Sequence, residues 1–360
     1  MNPVVWNGIG VMSGTSLDGI DLAWCRFEQS GDKWTYRILD ATTFPYSPEF
    51  RQRLAEATEL SALAYVQLNV DLGKLFARHI NQWIGQRPRP DFIASHGHTV
   101  FHQPQHGLTT QIGSGAVIAA QTGIRTVCDF RTTDVALGGQ GAPLVPIGDE
   151  LLFGQYDACL NLGGFSNISF RKDDCRLAFD ISPCNMALNL LANRQGLEYD
   201  PDGKIAQSGQ LIPHLLEQLN QLDYYKLPAP KSLGKEWFDE MFLPLLQPFL
   251  SADDLLNCLR TVVEHIAMQV SAAVPMRAGQ MLVTGGGAHN RFLIHRLSEK
   301  SPLRVIIPDS LTIDYKEALV FAFLGLLRLQ GNNNCLKSVT GSMSDNCGGA
   351  VYLPAKAFQK

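Results

Sequence analysis

VVWNGIGVMSGTSLDGIDLAWCRF, residues 4–27, reads as two strands joined by a turn of glycine, serine and threonine. After the turn Ile20, Leu22 and Trp24 alternate with Asp21, Ala23 and Cys25, the two-residue period of a strand. That alternation settles what the glycines are for. GIGVMS at 8–13 is a GxGxxG lacking its last glycine, but a dinucleotide-binding fold needs a helix where this chain alternates. No GxxxxGK[ST] occurs anywhere, so a P-loop is excluded as well.

Outward from this hairpin, WTYRILDATTFPY adds a third strand, and the period from about Pro48 to Gly85 is helical, with Leu72, Leu75, Phe76, Ile80 and Trp83 on one face. DFIASHGHTVF predicts a strand entering a His-rich loop, and TVCDF a further short strand. This β-β-β-α-β order then restarts. ACLNLGGFSNISF and CRLAFDIS read as strands, NMALNLLANRQ opens a helix, and the chain is mostly helical from Leu211 to about Ala273. MLVTGGGAHN is a strand running into a glycine turn, LRVIIPD a strand, and YKEALVFAFLGLLRL a closing helix. The repetition is one of topology, without a sequence repeat at fixed period. The Gly/Pro-rich RTTDVALGGQGAPLVP, residues 131–146, stands at the breakpoint and reads as a hinge or linker.

A chain of 360 residues exceeds one ordinary core, and 45% hydrophobic residues suffice for two. Charged residues are 18% and the net charge is −4, so neither nucleic acid nor an anionic membrane is expected as a partner. No apolar run reaches the roughly 18 residues of a membrane span. Before Arg26 there is no Lys or Arg, which leads to the expectation of no signal peptide and a cytoplasmic protein. The eight cysteines are scattered without a CxxC pair and read as free thiols.

Three glycine turns follow strands: SGTSLDG at 13–19, Gly163–Gly164, and Gly285–Gly287. Glycine bends tightly and lets a phosphate approach backbone N–H groups without a Cβ in the way. One such turn is ordinarily just a hairpin; three in two halves of repeated topology point to a nucleotide. The hydroxyls of Ser13, Thr15 and Ser16 add donors, and Asp18 is placed to reach a magnesium ion through water. SHGHTVFHQPQH sets His96, His98, His102 and His106 within eleven residues. His96 and His98 on one strand face fit either two ligands of a hydrolase metal centre or ordinary loop histidines, one or two of them on a ligand. Asp180, at a strand end just before a helix beginning near Asn185, is either a general base or that helix's cap. Glu317, in the first turn of the last helix, either complements the helix dipole or binds a polar substrate.

GVMSGTSLDGID, SHGHTVFH, CDFRTTDVALGGQGAPLVP, LNLGGFSNIS, PKSLGKEWF, TGGGAHN, KEALVFAFLG and SVTG follow one another as in the anhydro-N-acetylmuramic acid kinase family, which the chain resembles from Gly10 to about Gly341. The resemblance implies an α/β fold of the sugar kinase, Hsp70 and actin type: two ribonuclease H-like domains with an ATP cleft between them. Their expected boundaries are residues 1–130 plus 338–360 for the first and 131–337 for the second. It implies ATP and Mg2+, with Gly14, Thr15, Ser16, Leu17, Asp18, Gly19, Ile20, Asp21, Gly163 and Gly164 around the phosphates and Gly285, Gly286 and Gly287 near the adenosine. Asp18 would be the outer-shell magnesium residue. Asp180 matches the base that activates water against the anomeric carbon of an anhydro-sugar while the freed O6 takes the γ-phosphoryl, giving N-acetylmuramate 6-phosphate for cell-wall recycling. His96, Thr99, Arg131 and Glu317 match positions around the sugar, and a homodimer is implied.

Three stretches depart from the pattern that the resemblance implies. DISPCN at 180–185 stands for DTGPGN, TQIGS at 110–114 for LQIGD, and RTTD at 131–134 for RRRD. All three belong to the sugar side, so a related amino sugar or anhydro-sugar is the rival substrate, and a nucleotide-gated binding protein with decayed catalysis the rival from another class.

Overall fold

A computed structural model describes residues 4–14, 17–251 and 254–354. The strands are β1 (Val4–Met12), β2 (Gly19–Ser30), β3 (Lys33–Pro45), β4 (Phe92–Ser95), β5 (His98–Gln103), β6 (Leu108–Ile112), β7 (Thr126–Cys128), β8 (Ala158–Leu162), β9 (Phe165–Lys172), β10 (Cys175–Pro183), β11 (Gln280–Thr284), β12 (Arg304–Ile306) and β13 (Ala350–Tyr352). The chain divides into two compact units, residues 1–152 with 315–360, and residues 153–314.

The first unit carries a sheet of order β13-β7-β4-β1-β2-β3. Strands β1, β2 and β3 form an antiparallel meander, and β4 joins β1 in parallel. Helix Ala62–Ile84 starts at Ser61, whose side chain accepts from the Ala64 N–H, and buries Leu68, Leu72, Phe76 and Ile80. They pack on Ile9, Val11, Ile20, Leu22 and Ile93 from the sheet. Each such side chain contributes about 1.5–3 kcal/mol by leaving water. The single helix expected from Pro48 to Gly85 is two, Pro48–Ala55 and Ala62–Ile84, because Ser47 and Ser61 each cap a new start. Gly10 is where β1 meets the last helix: a Cβ there would lie 1.8 Å from the carbonyl oxygen of Ala318.

The second unit repeats the plan in one sheet of order β10-β9-β8-β11-β12. The β8-β9-β10 meander is again antiparallel, and β11 pairs in parallel with β8 and β12. Third, second, first, fourth, fifth is the strand order common to both units, the first adding β13 beyond its fifth, and it makes each ribonuclease H-like. Helix Leu255–Ala273 buries Leu259, Val262, Ile266 and Val270 in this unit's core.

The expected hinge at 131–146 falls inside the first unit. Asp134, fully buried, accepts hydrogen bonds from Gly141 N, Thr340 Oγ1, Asn346 Nδ2 and Cys335 Sγ, which ties the stretch to the chain's last segment. The unit boundaries therefore stand at 152/153 and 314/315, where the sequence placed them at 130/131 and 337/338. The last helix, Ser310–Gln330, leaves helical geometry at Tyr315, next to that boundary. All eight cysteines are free thiols.

Candidate active site

In the first unit the β1–β2 turn is built on side chains. Ser13, almost wholly buried, shares its hydroxyl with Tyr46 Oη at 2.6 Å and His98 Nδ1 at 3.3 Å. Leu17 holds a φ of +57°, closed by its N–H to Gly14 O. Asp18 Oδ1 accepts from Gly19 N at 2.9 Å, and Asp21 Oδ1 from Thr43 Oγ1 at 2.6 Å. Burial, against the Ser13 hydrogen bond and with Asp18 and Asp21 adding to it, pushes the Tyr46 phenol up and keeps it neutral. The Ile20 side chain belongs to the core, so only its backbone faces the turn. Thr15 and Ser16 lie outside the described residues.

β4 ends at Ser95 and β5 begins at His98, so His96 and His98 do not share a strand face as expected. His96 Nδ1 stands 3.0 Å from Gly97 O, and a carbonyl can only accept, so Nδ1 carries the proton. Nε2 then accepts from Arg131, Nε at 3.1 Å and Nη2 at 2.9 Å. Burial first, and then Arg131, hold His96 well below the usual histidine range, so the imidazole is neutral. With Nε2 engaged by a cation and His98 turned to Ser13, the hydrolase metal centre fails. Among the described residues no three His, Cys, Asp or Glu side chains gather as a metal site.

Arg131 also donates from Nη1 to Gly141 O at 2.6 Å. Burial lowers its guanidinium to about 10, against the pull of Glu317, so it stays charged at neutral pH. Glu317 remains open to solvent, yet the protein packed around it, joined by Asp21, raises its carboxyl, while Arg131 and Lys316 pull it back. Lys316 itself faces Asp149 at 2.6 Å in a buried ion pair. Thr99, half-buried on β5, neighbours Gln111, whose buried Oε1 finds no partner among the described residues. His102 bonds Thr109 Oγ1 at 3.0 Å.

The second unit gathers its two glycine turns. Gly285 has a φ of +83°, and a Cβ there would lie 2.4 Å from Asn161 Oδ1, so no other residue fits. Gly287 packs on Leu162 at the end of β8, next to Gly163 and Gly164. The carbonyls of that pair accept from Cys184, Asn185 and Met186 N–H, and Asn185 Nδ2 donates to Leu162 O at 2.9 Å.

Asp180 lies on β10 opposite Asn167, beside a bulge that shifts the register before Ser182. It does not cap helix Asn185–Asn193; the cap position is Cys184, without a side-chain bond. Its Oδ2 accepts from Leu233 N at 2.9 Å, and Oδ1 has no partner among the described residues. Burial raises its carboxyl, and the Leu233 N–H opposes this.

The sequence departures are absorbed locally. Ile181 and Cys184 are core side chains, and Ser182 shares a buried hydroxyl contact of 3.0 Å with Ser166. Ser114 takes over a helix cap, accepting from Val117 N. Thr132 and Thr133 are exposed. Reading the sequence missed Tyr46, Gln111 and Asn185, of which the last two stand within the motifs quoted above.

The family model for anhydro-N-acetylmuramic acid kinase matches residues 7–354. A protein of that name from Aliivibrio fischeri is 37% identical, covering 96% of this chain and 98% of its own. Those from Hydrogenovibrio crunogenus, at 35%, and Vibrio cholerae, at 37%, cover the same shares.

Proposed function

The chain belongs to the anhydro-N-acetylmuramic acid kinase family and is an ATP-dependent sugar kinase, and on that premise we propose that it phosphorylates 1,6-anhydro-N-acetylmuramic acid with hydrolytic opening of the anhydro ring. The single observation that carries the mechanism is the Asp180 carboxylate: one oxygen anchored, the other without a partner, its basicity raised by burial. Oδ1 takes a proton from water as the water oxygen bonds the anomeric carbon. The bond from that carbon to O6 breaks, O6 bonds the γ-phosphorus, and ADP leaves with the bridging oxygen's electron pair. The product is N-acetylmuramate 6-phosphate, as cell-wall recycling requires.

His96, Arg131, Glu317 and Thr99 bind the sugar, and the unmatched Gln111 Oε1 supports a sugar hydroxyl or amide there. Gly14, Leu17–Asp21, Gly163 and Gly164 hold the phosphates, and Gly285–Gly287 the adenosine. Hard carboxylate oxygens suit magnesium, which takes few protein ligands and keeps its waters; Asp18 would hold it through one of them. When bound, the ion offsets phosphate charge. A cytoplasmic homodimer belongs to the same reading; no helix among the described residues is long and apolar enough to cross a membrane. The core-facing departures favour the family substrate over a related sugar.

Turnover in ¹⁸O-water tests the mechanism. Label is expected in the C1 hydroxyl of the sugar. Label in released phosphate would mean plain ATP hydrolysis, and an unlabelled sugar phosphate an ordinary hydroxyl kinase.

A further inference from the structure

PKSLGKEWF, residues 230–238, supplies no reacting group to the chemistry above, yet it lies against Asp180. Asp180 N donates to Lys231 O at 3.1 Å. Lys231 Nζ donates to Tyr224 O at 3.0 Å, and Tyr224 Oη donates back to Asp180 O at 2.7 Å. Three residues thus close a ring of hydrogen bonds, each using one backbone group of the next. From the same segment Leu233 N reaches the carboxylate itself. The Lys231 ammonium also sits 4.5 Å from the centre of the Tyr224 ring and 5.9 Å from that of Phe179, the residue before Asp180. Cation–π contacts of this kind contribute modestly and fix orientation.

Packing alone does not hold the segment. A cavity of about 210 Å³ lies beside it, lined by Phe179, Ile181, Leu227, Lys231, Gln269 and Ala273. With open space on that side, the polar ring supplies the stiffness that a core would otherwise supply. We infer that Lys231 is a positioning residue for Asp180: its ammonium locks the 224–233 segment so that Leu233 N stays on Oδ2 and Oδ1 is presented to the substrate water. The inference rests on Asp180 being the base. Burial lowers the Lys231 amine from its ordinary range.

Lys231→Met keeps the apolar stem and removes the ammonium. We expect kcat to fall about ten- to hundredfold, the scale of a misplaced catalytic group, with the KM for ATP unchanged. Losing the Leu233 N–H, which favours the charged carboxylate, raises Asp180, so the acid limb of the kcat/KM profile moves to higher pH. Lys231→Arg, which can still reach Tyr224 O and its ring, is expected to restore most of both. A variant that loses thermal stability while limb and kcat stay put would overturn the inference, as would Lys231→Met at wild-type rate. Tyr224→Phe opens the ring elsewhere, and a smaller shift in the same direction is expected; no shift there with a folded protein counts equally against it. NMR titration of the ¹³C-labelled Asp180 carboxyl separates the two levels. A raised carboxyl in Lys231→Met beside a fully active Asp180→Asn would retain the clamp and remove the base.

Discussion

The two hairpin turns that open the sheets hold the same topological place and are built on opposite terms. The β1–β2 turn is tied by side chains, Ser13 to Tyr46 and His98, Asp18 to Gly19, with Leu17 in left-handed geometry. The β8–β9 turn is bare backbone, Gly163 and Gly164, whose carbonyls receive the first N–H groups of the following helix. The ionisable groups differ in the same sense. In the first unit His96 and Arg131 bond each other and Arg131 adds Gly141 O, which fixes the guanidinium and leaves it two of its five N–H donors. In the second, Asp180 is half satisfied. Fixed donors with bonds to spare suit holding a ligand; a carboxylate oxygen with one bond left over is suited to react.

The sharpest way to break this contrast is Asp180→Asn. A general base contributes roughly 10²–10⁴-fold, so kcat is expected to fall at least about a hundredfold with nucleotide binding retained, measured by ADP release and by titration with an ATP analogue. Asn keeps an amide oxygen that can accept from Leu233 N, so full activity would return Asp180 to a structural role. The sign of the pH effect follows. Burial raises the folded carboxyl above its unfolded value, so the ionised form weakens the fold as pH rises through that window. Asp180→Asn is therefore expected to melt higher than wild type at neutral pH and no higher below the ordinary carboxylate range, a check that needs only thermal scans.

Arg131→Met attacks the holding side. Charge-assisted bonds to a ligand are worth about 1.5–3 kcal/mol, so the sugar KM should rise roughly ten- to hundredfold with a smaller change in kcat. An unchanged KM would make Arg131 a scaffold for Gly141 alone.

Two alanines sharpen the comparison of backbones. Gly10→Ala forces a Cβ onto the Ala318 carbonyl, which cannot yield like a side-chain tip, and overpacking of this kind costs about 1–3 kcal/mol or several degrees in Tm. Gly164→Ala meets nothing nearer than Met186 Cε at 4.0 Å, so the fold should not change. If a phosphate approaches that turn, its ATP KM should nonetheless rise severalfold. Identical ATP kinetics would take Gly164 out of the phosphate site. The smallest effect is expected of Asp18→Asn, a roughly two- to tenfold rise in the magnesium needed for half-maximal rate, since the contact runs through water. An unaltered magnesium curve would remove Asp18 from the ion's outer shell.

Alternation after residue 19, the glycine turns and the restart of the strand order were legible in the sequence, and with them two halves of repeated topology and the nucleotide-binding class; the ribonuclease H-like character came from the family resemblance. They are local properties: strand period, turn chemistry and amphipathic faces are set by neighbours a few residues away. Only the tertiary structure decided that His96 is neutral and bound to Arg131, 35 residues on, and that Asp180 answers to Leu233, 53 residues on, instead of capping the next helix. It also decided that residues 131–146 belong with residues 335–346 in one unit, through the Asp134 carboxylate. A side chain's charge, tautomer and free lone pair depend on which distant group folding brings within hydrogen-bond reach, and no local pattern carries that distance.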